Sequence, residues 1–100
     1  MKAIEVASVN VINVLNKIIK TERPISDSYK ISKWFKLWEQ EKDYVYEKLK
    51  EYQGDEAKIR ELESLEIDLE PLDYELIKDS SLTTNEFMSI EPLLKNLPDD

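Results

Sequence analysis

The sequence contains no cysteine and no histidine, and glycine occurs only once, at Gly54. Without those side chains the chain has no disulfides, no thiolate nucleophile, no histidine-based catalytic triad and none of the usual zinc ligand sets. One glycine is too few for a phosphate-binding loop, and no Walker, dinucleotide or G-x-S-x-G motif is present. The sequence therefore predicts a protein that is not an enzyme, with no cofactor, no metal and no small-molecule substrate.

Length and composition predict one small helical domain. The chain has 100 residues, of which 41% are hydrophobic and 36% are charged, whereas charged residues make up roughly 25% of an average globular chain. No apolar run reaches the roughly 18–20 residues that cross a bilayer, so no membrane partner is expected. We predict a single domain over residues 1–97 and a frayed tail over residues 98–100. The lack of a signal peptide favours synthesis in the cytosol.

The charge is distributed unevenly along the chain. Residues 1–53 carry ten Lys/Arg against eight Asp/Glu, whereas residues 54–100 carry four against fourteen, within a total net charge of −8. The acidic second half would repel a phosphate backbone, so nucleic-acid binding is not expected. The cations near the first interhelical turn form either a basic patch or, as we favour, the solvated faces of two helices; they are Lys17, Lys20, Arg23, Lys30, Lys33 and Lys36.

Apolar spacing predicts three helices in the first two thirds of the chain. Apolar residues recur every three or four positions over residues 4–20 and again over residues 26–53, which is the period of an amphipathic helix. Gly54 stands where a left-handed helix end would need a glycine. Asp55 can then cap a third, short helix over residues 56–65.

The pattern changes after this third helix. Apolar and acidic residues alternate strictly over residues 65–70, which predicts a strand with one apolar and one acidic face. Residues 74–77 would return as a second strand of a hairpin. The acidic side chains favour a solvated face over a cation site, because carboxylates two residues apart on a strand are too spread to chelate one ion. They are Glu66, Asp68, Glu70, Asp73 and Glu75.

The last element has a complete start signal. Thr83 and Glu86 have the spacing of a capping box, Leu82 and Phe87 can form a hydrophobic staple, and Pro92 should end or kink the helix. The elements together predict a mostly α fold. It comprises a long antiparallel helical hairpin, a short third helix, a small β-hairpin or extended segment, and a short C-terminal helix.

Aromatic side chains are concentrated on the second helix, where Trp34, Phe35 and Trp38 follow Tyr29. One interpretation is that the tryptophans pack under the first helix as core. The other is that the apolar arc is wider than one partner helix covers, so that these four residues form a partner-binding face, as tryptophan often does at protein interfaces. The spacing alone leaves both interpretations open.

Four stretches occur in a fixed order: PISDSYKISK at 24–33, EKLKEY at 47–52, LEIDLEPL at 65–72 and LTTNEFMSIEPLL at 82–94. In this order the chain resembles a group of small acidic helical proteins of uncharacterised function that are encoded by tailed bacteriophages. The resemblance implies a phage gene product, found in the host cytoplasm during infection or in the virion. It supplies no catalytic or ligand residues.

Since the chain has neither cysteine nor histidine and no catalytic motif, we predict that it acts by binding protein partners. These are copies of itself or components of the virion and its assembly, bound through the helix face that carries Trp34 and Trp38. The alternative is an inhibitor of a host defence or regulatory protein, whose acidic second half imitates nucleic-acid phosphate and occupies a basic groove.

Overall fold

The computed structural model describes residues 1–98, and the fold is mostly helical with a very small parallel sheet. Of the predicted tail only Pro98 lies within the described residues. The elements in chain order are α1 (Ala3–Val6), α2 (Val9–Lys20), α3 (Ile25–Glu51), α4 (Glu56–Glu63), β1 (Leu72–Asp73), a 3-10 turn (Tyr74–Leu76), α5 (Thr84–Ile90), a second 3-10 turn (Glu91–Leu93) and β2 (Leu94–Lys95).

The predicted helix over residues 4–20 is in fact two helices, α1 and α2, with a two-residue break between them. Side chains of α3 hydrogen-bond the carbonyls at this break. The Trp38 indole N–H donates to the Val6 carbonyl at 2.8 Å, and the Tyr46 hydroxyl donates to the Ala7 carbonyl at 2.8 Å. Because α3 satisfies these acceptors, the backbone can leave the helix without burying an unpaired carbonyl.

The long second helix and the short third helix are confirmed. α3 begins directly after Pro24, as expected from a residue that disfavours helix before it, and runs without interruption to Glu51. Gly54 has φ +90°, the left-handed backbone that the sequence predicted there. The Asp55 carboxylate accepts a hydrogen bond from the Lys58 backbone N–H at 3.2 Å, which caps α4.

The β-hairpin, one of the two alternatives predicted for this region, is wrong. Residues 65–70 form no strand; Glu66 makes an isolated antiparallel bridge with Lys2, in which the Ala3 N–H donates to the Leu65 carbonyl at 2.9 Å and the Ile67 N–H donates to the Met1 carbonyl at 2.7 Å. β1 pairs with β2 in parallel, with Leu72 opposite Leu94. The chain cannot return as a strand after β1 because residues 74–76 form the 3-10 turn. The predicted burial alternation holds in part: Ile67 and Leu69 are buried and the carboxylates are exposed, but Leu65 is 42% exposed.

The start and the end of α5 are as predicted. The Thr83 hydroxyl accepts from the Glu86 backbone N–H at 3.2 Å, and the Glu86 carboxylate accepts from the Thr83 backbone N–H at 2.9 Å. This reciprocal pair is a capping box. The helix ends at Ile90, and Pro92 lies in the 3-10 turn that follows.

One apolar cluster joins all of these elements. α2 contacts α3 but packs chiefly against α5, while α1 packs against α3 and α4. The main packing partner of α2 therefore comes from the end of the chain. No helix among residues 1–98 is long and apolar enough to cross a membrane. The most completely buried large side chains are Val6, Val11, Leu15, Ile18, Ile31, Trp38, Ile77, Ile90 and Leu93.

Candidate interaction surface

The structure brings together two features that lie far apart in the sequence, the aromatic helix and the acidic segment. The Trp34 indole N–H donates to the Glu70 carbonyl at 2.6 Å, so the segment after α4 lies against α3. Buried Ile67 and Leu69 fix this segment to the core. The carboxylates that alternate with them therefore stand on the outer surface next to α3.

Both tryptophans belong to the core, which is the first of the two interpretations that the sequence left open. Trp38 is 1% exposed and Trp34 is 8% exposed. Each indole N–H is bonded to a backbone carbonyl, as a buried indole requires. The prediction that Trp34 and Trp38 are exposed partner anchors is thus corrected. Trp34 exposes only a small part of its side chain, and Trp38 is fully buried.

The two other predicted aromatic residues are placed differently. Phe35 is half-buried and packs on Trp38, with 5.0 Å between ring centroids. Tyr29 is 63% exposed, and the Lys33 ammonium lies 5.7 Å from the centroid of its ring. The predicted aromatic face is therefore divided between the core and the surface, because Trp34 and Trp38 turn inward while Tyr29 lies on the outer side of α3.

A groove runs between α3 and the segment that leads into β1, and we call it the α3 groove. It has a volume of about 440 Å³. Its floor is apolar and includes the exposed edge of Trp34 and the side chain of Leu37, which is 53% exposed. It is lined by Lys30, Lys33, Trp34, Leu37, Glu70, Pro71, Leu72, Asp73, Leu76 and Lys95.

The two sides of the α3 groove differ in charge. On the helix side Lys30 and Lys33 form what we call the lysine rim. On the opposite side Glu70 and Asp73 form the acidic rim, where the Lys95 ammonium pairs with the Glu70 carboxylate at 2.9 Å. Two carboxylates beside one ammonium leave the acidic rim with a net negative charge. The α3 groove therefore has an apolar floor between a positive and a negative edge.

The exposed apolar surface of α3 continues beyond the groove. Tyr44 is 46% exposed and lies seven residues after Leu37, which places both on one face of the helix. Lys48 lies 5.7 Å from the centroid of the Tyr44 ring, and a hydrogen bond to Glu51 raises the pKa of Lys48. This face of α3 therefore carries a discontinuous apolar stripe that is flanked by ammonium groups.

The acidic residues predicted from the sequence have separate local partners. Glu66 pairs with the Met1 amino group at 3.3 Å, and the Asp73 carboxylate accepts from the Glu75 backbone N–H at 3.0 Å, which supports the 3-10 turn. Glu75 pairs with Lys78 at 2.9 Å and raises its pKa through a hydrogen bond and charge. Asp68 is exposed. Over residues 1–98, no three carboxylates converge as metal ligands would.

The fold separates the cations for which a basic patch was the alternative interpretation. Lys17 pairs with Glu86 at 2.9 Å, and the Arg23 guanidinium donates to the Ile18 and Thr21 carbonyls and to the Ser80 hydroxyl. Lys20 remains exposed near the end of α2, while Lys30, Lys33 and Lys36 are exposed along α3. The favoured interpretation of solvated helix faces therefore suits the α3 lysines, two of which border the α3 groove.

Five lining residues of the α3 groove were not among the predicted site residues: Leu37, Pro71, Leu72, Leu76 and Lys95. Leu37 carried a usable signal, because it lies three residues after Trp34 and seven before Tyr44 on one helix face. Lys95 carried none. It reaches the groove only through the pairing of β2 with β1, which no local pattern indicates.

Comparisons of this chain with protein-family models, with curated proteins and with solved structures find no match. The candidate surface is therefore argued from its own geometry.

Proposed function

We propose that this protein acts by binding another protein through the α3 groove and that it performs no chemistry of its own. The observation that supports the proposal most is Leu37, an aliphatic side chain that is 53% exposed on an apolar floor between charged rims. An apolar centre surrounded by a polar edge is the usual anatomy of a protein interface. The resemblance to small acidic phage proteins extends the proposal to a partner in phage assembly or in the virion.

The sequence predicted binding through the helix face that carries Trp34 and Trp38, whereas the proposed binding site is the neighbouring α3 groove. The Trp34 indole supports this groove, since its N–H holds the Glu70 carbonyl at the groove edge. The proposal includes an antiparallel hairpin of α2 and α3, which their contact and the short link between them support. In that arrangement the outer side of α3 stays free for the partner.

The alternative is that the acidic half imitates nucleic-acid phosphate and occupies a basic groove of a host protein. The net charge of −8 favours it. The local pairing of Glu66, Glu70 and Glu75 with ammonium groups weakens it, because paired carboxylates attract an external cation less strongly. DNA in excess would displace a partner bound in this way, whereas a partner held in the α3 groove would stay bound.

The test is capture of partners by tagged chain in the cells that naturally express it, compared between two variants. Leu37→Glu places a charge on the groove floor, and we expect it to reduce recovery of the bound protein by about tenfold or more. Met88→Glu is the matched control, because Met88 is an exposed apolar residue on α5, away from the groove.

The result must separate the two variants. Loss of the partner with Leu37→Glu and retention with Met88→Glu would support the α3 groove. Equal recovery with both variants would show that binding occurs elsewhere and that the proposal is wrong. Circular dichroism and the urea midpoint of each purified variant establish that both are folded.

A further inference from the structure

We propose that the partner in the α3 groove is a second copy of this chain, related to the first by a two-fold axis through the groove. The inference rests on the proposed function and identifies the protein that occupies the α3 groove. It follows from the charges of the two rims, from the position of Leu37 and from the geometry of two-fold pairing.

The rims of the α3 groove are complementary to each other. A two-fold axis perpendicular to a surface places each point of that surface opposite the point across the axis on the partner copy. Lys30 and Lys33 stand on one side of the groove and Glu70 and Asp73 on the other. Two-fold pairing therefore places the lysine rim of each copy against the acidic rim of its partner, which forms both charge contacts twice.

Leu37 supplies the apolar contact of this arrangement. It lines the groove and is 53% exposed, so it can contact a facing surface. In a two-fold pair the Leu37 side chains of both copies enter the interface, where each meets the apolar floor formed by Trp34, Leu72 and Leu76. Tyr44, on the same helix face, extends the apolar stripe beyond the groove.

The net charge of the chain restricts how two copies can meet. Each copy carries −8, so most relative orientations are repulsive. The lysine rim is a local exception beside an acidic segment, and a pairing that uses it brings opposite charges together while the other carboxylates remain in solvent. Charge thus favours pairing through this face over pairing through the rest of the acidic surface. Because the contacts are between charges, the dimer should weaken as ionic strength rises.

Sedimentation velocity of the purified full chain tests the pairing. The wild type should form dimers, whereas Lys33→Glu cancels the net positive charge of the lysine rim, where Lys30 remains, and Glu70→Lys makes the acidic rim positive. Each variant alone should dimerise about tenfold or more weakly than the wild type, because the attraction between the two rims is lost in the first variant and becomes repulsion in the second. An equimolar mixture of the two variants should form heterodimers, since the unchanged acidic rim of the Lys33→Glu chain then faces the unchanged lysine rim of the Glu70→Lys chain.

The control is Lys36→Glu, a charge reversal at an exposed position of α3 that does not line the groove. It should leave dimerisation within about threefold of the wild type, apart from the general effect of added negative charge. Both tested side chains are exposed, and the urea midpoint of each variant separates loss of pairing from loss of folding.

Three outcomes would overturn the inference. They are a wild type that stays monomeric up to about 1 mM, where association has no useful strength, a mixture that associates no better than its components, and a Lys36→Glu variant as weak as Lys33→Glu. The proposed function is tested separately from the pairing of two copies. If the wild type is monomeric but Leu37→Glu still loses its captured partner, the α3 groove binds a different protein.

Discussion

Arg23 is the residue that ties the link between α2 and α3 to a distant part of the chain. Its guanidinium donates to the Ile18 carbonyl at the end of α2, to the Thr21 carbonyl and to the Ser80 hydroxyl. Ser80 is only 3% exposed, so its hydroxyl depends on this partner. A buried polar group without a partner costs about 1–3 kcal/mol, and Arg23 removes that cost at one point of the fold.

Replacement of Arg23 by alanine should therefore lower the free energy of unfolding by about 1–3 kcal/mol, because the Ser80 hydroxyl loses its donor and the Ile18 carbonyl keeps only the Thr21 backbone N–H. Urea denaturation followed by circular dichroism measures the change. Lys20→Ala is the control, since this exposed neighbour on α2 should change stability by less than about 0.5 kcal/mol. Equal effects of the two substitutions would show that the Arg23 hydrogen bonds contribute nothing to stability.

The tryptophans show what the sequence can predict about single residues. Helical spacing places Trp34 and Trp38 on one face of α3, which the structure confirms. Their burial depends on segments far along the chain, because Trp38 donates to Val6 and Trp34 donates to Glu70. No local pattern contains that information, so spacing could not decide between core and interface.

At the scale of elements, the helix ends that carry a local cap signal were predictable, whereas the break between α1 and α2 and the strand pairing were not. The Gly54 turn, the Asp55 cap and the Thr83 capping box each act within four residues, so the sequence contains the whole signal. β1 instead pairs with β2, which follows α5 in the sequence. The alternation over residues 65–70 correctly predicted the burial of Ile67 and Leu69, was wrong for Leu65, and could not indicate the pairing partner.

The capping box of α5 also makes stability depend on pH. The Thr83 backbone N–H, and next the Lys17 ammonium, hold the pKa of Glu86 below its usual range. A carboxyl group whose pKa is lowered by folding stabilises the native state above its unfolded pKa, and this contribution disappears as pH falls through the folded pKa. The relevant window therefore begins below the unfolded value of about 4.3.

Glu86→Gln should remove this pH dependence. The free energy of unfolding of the variant should lie below that of the wild type at pH 7, and the two should converge as the pH is lowered through the acid range. Urea midpoints across that range provide the measurement. Thr83→Ala is the control, because it keeps the backbone N–H and the Lys17 contact, so its difference from the wild type should persist. A constant Glu86→Gln difference at every pH would contradict the assignment.

At the scale of the whole molecule, the α3 groove is produced by the fold rather than by any one segment. α3 contributes the lysine rim and Leu37. The acidic rim comes from Glu70 before β1 and from Asp73 in β1, and Lys95 lies in β2. The sequence predicted the mostly helical character, and it named both the helix and the acidic residues of the candidate surface. It did not predict that they adjoin, because that proximity depends on the packing of residues 67–72 against α3.

The most direct test is to identify which residues change their environment when copies of the chain associate. Amide chemical shifts of the full ¹⁵N-labelled chain, followed by dilution from about 1 mM to about 10 µM, span the range of weak to moderate affinity. We expect concentration-dependent shifts that are confined to residues 30–44 and 65–76 and to β2, which carries Lys95. Shifts that cluster instead on the outer sides of α2 and α5, or spectra that do not change with concentration, would contradict this expectation.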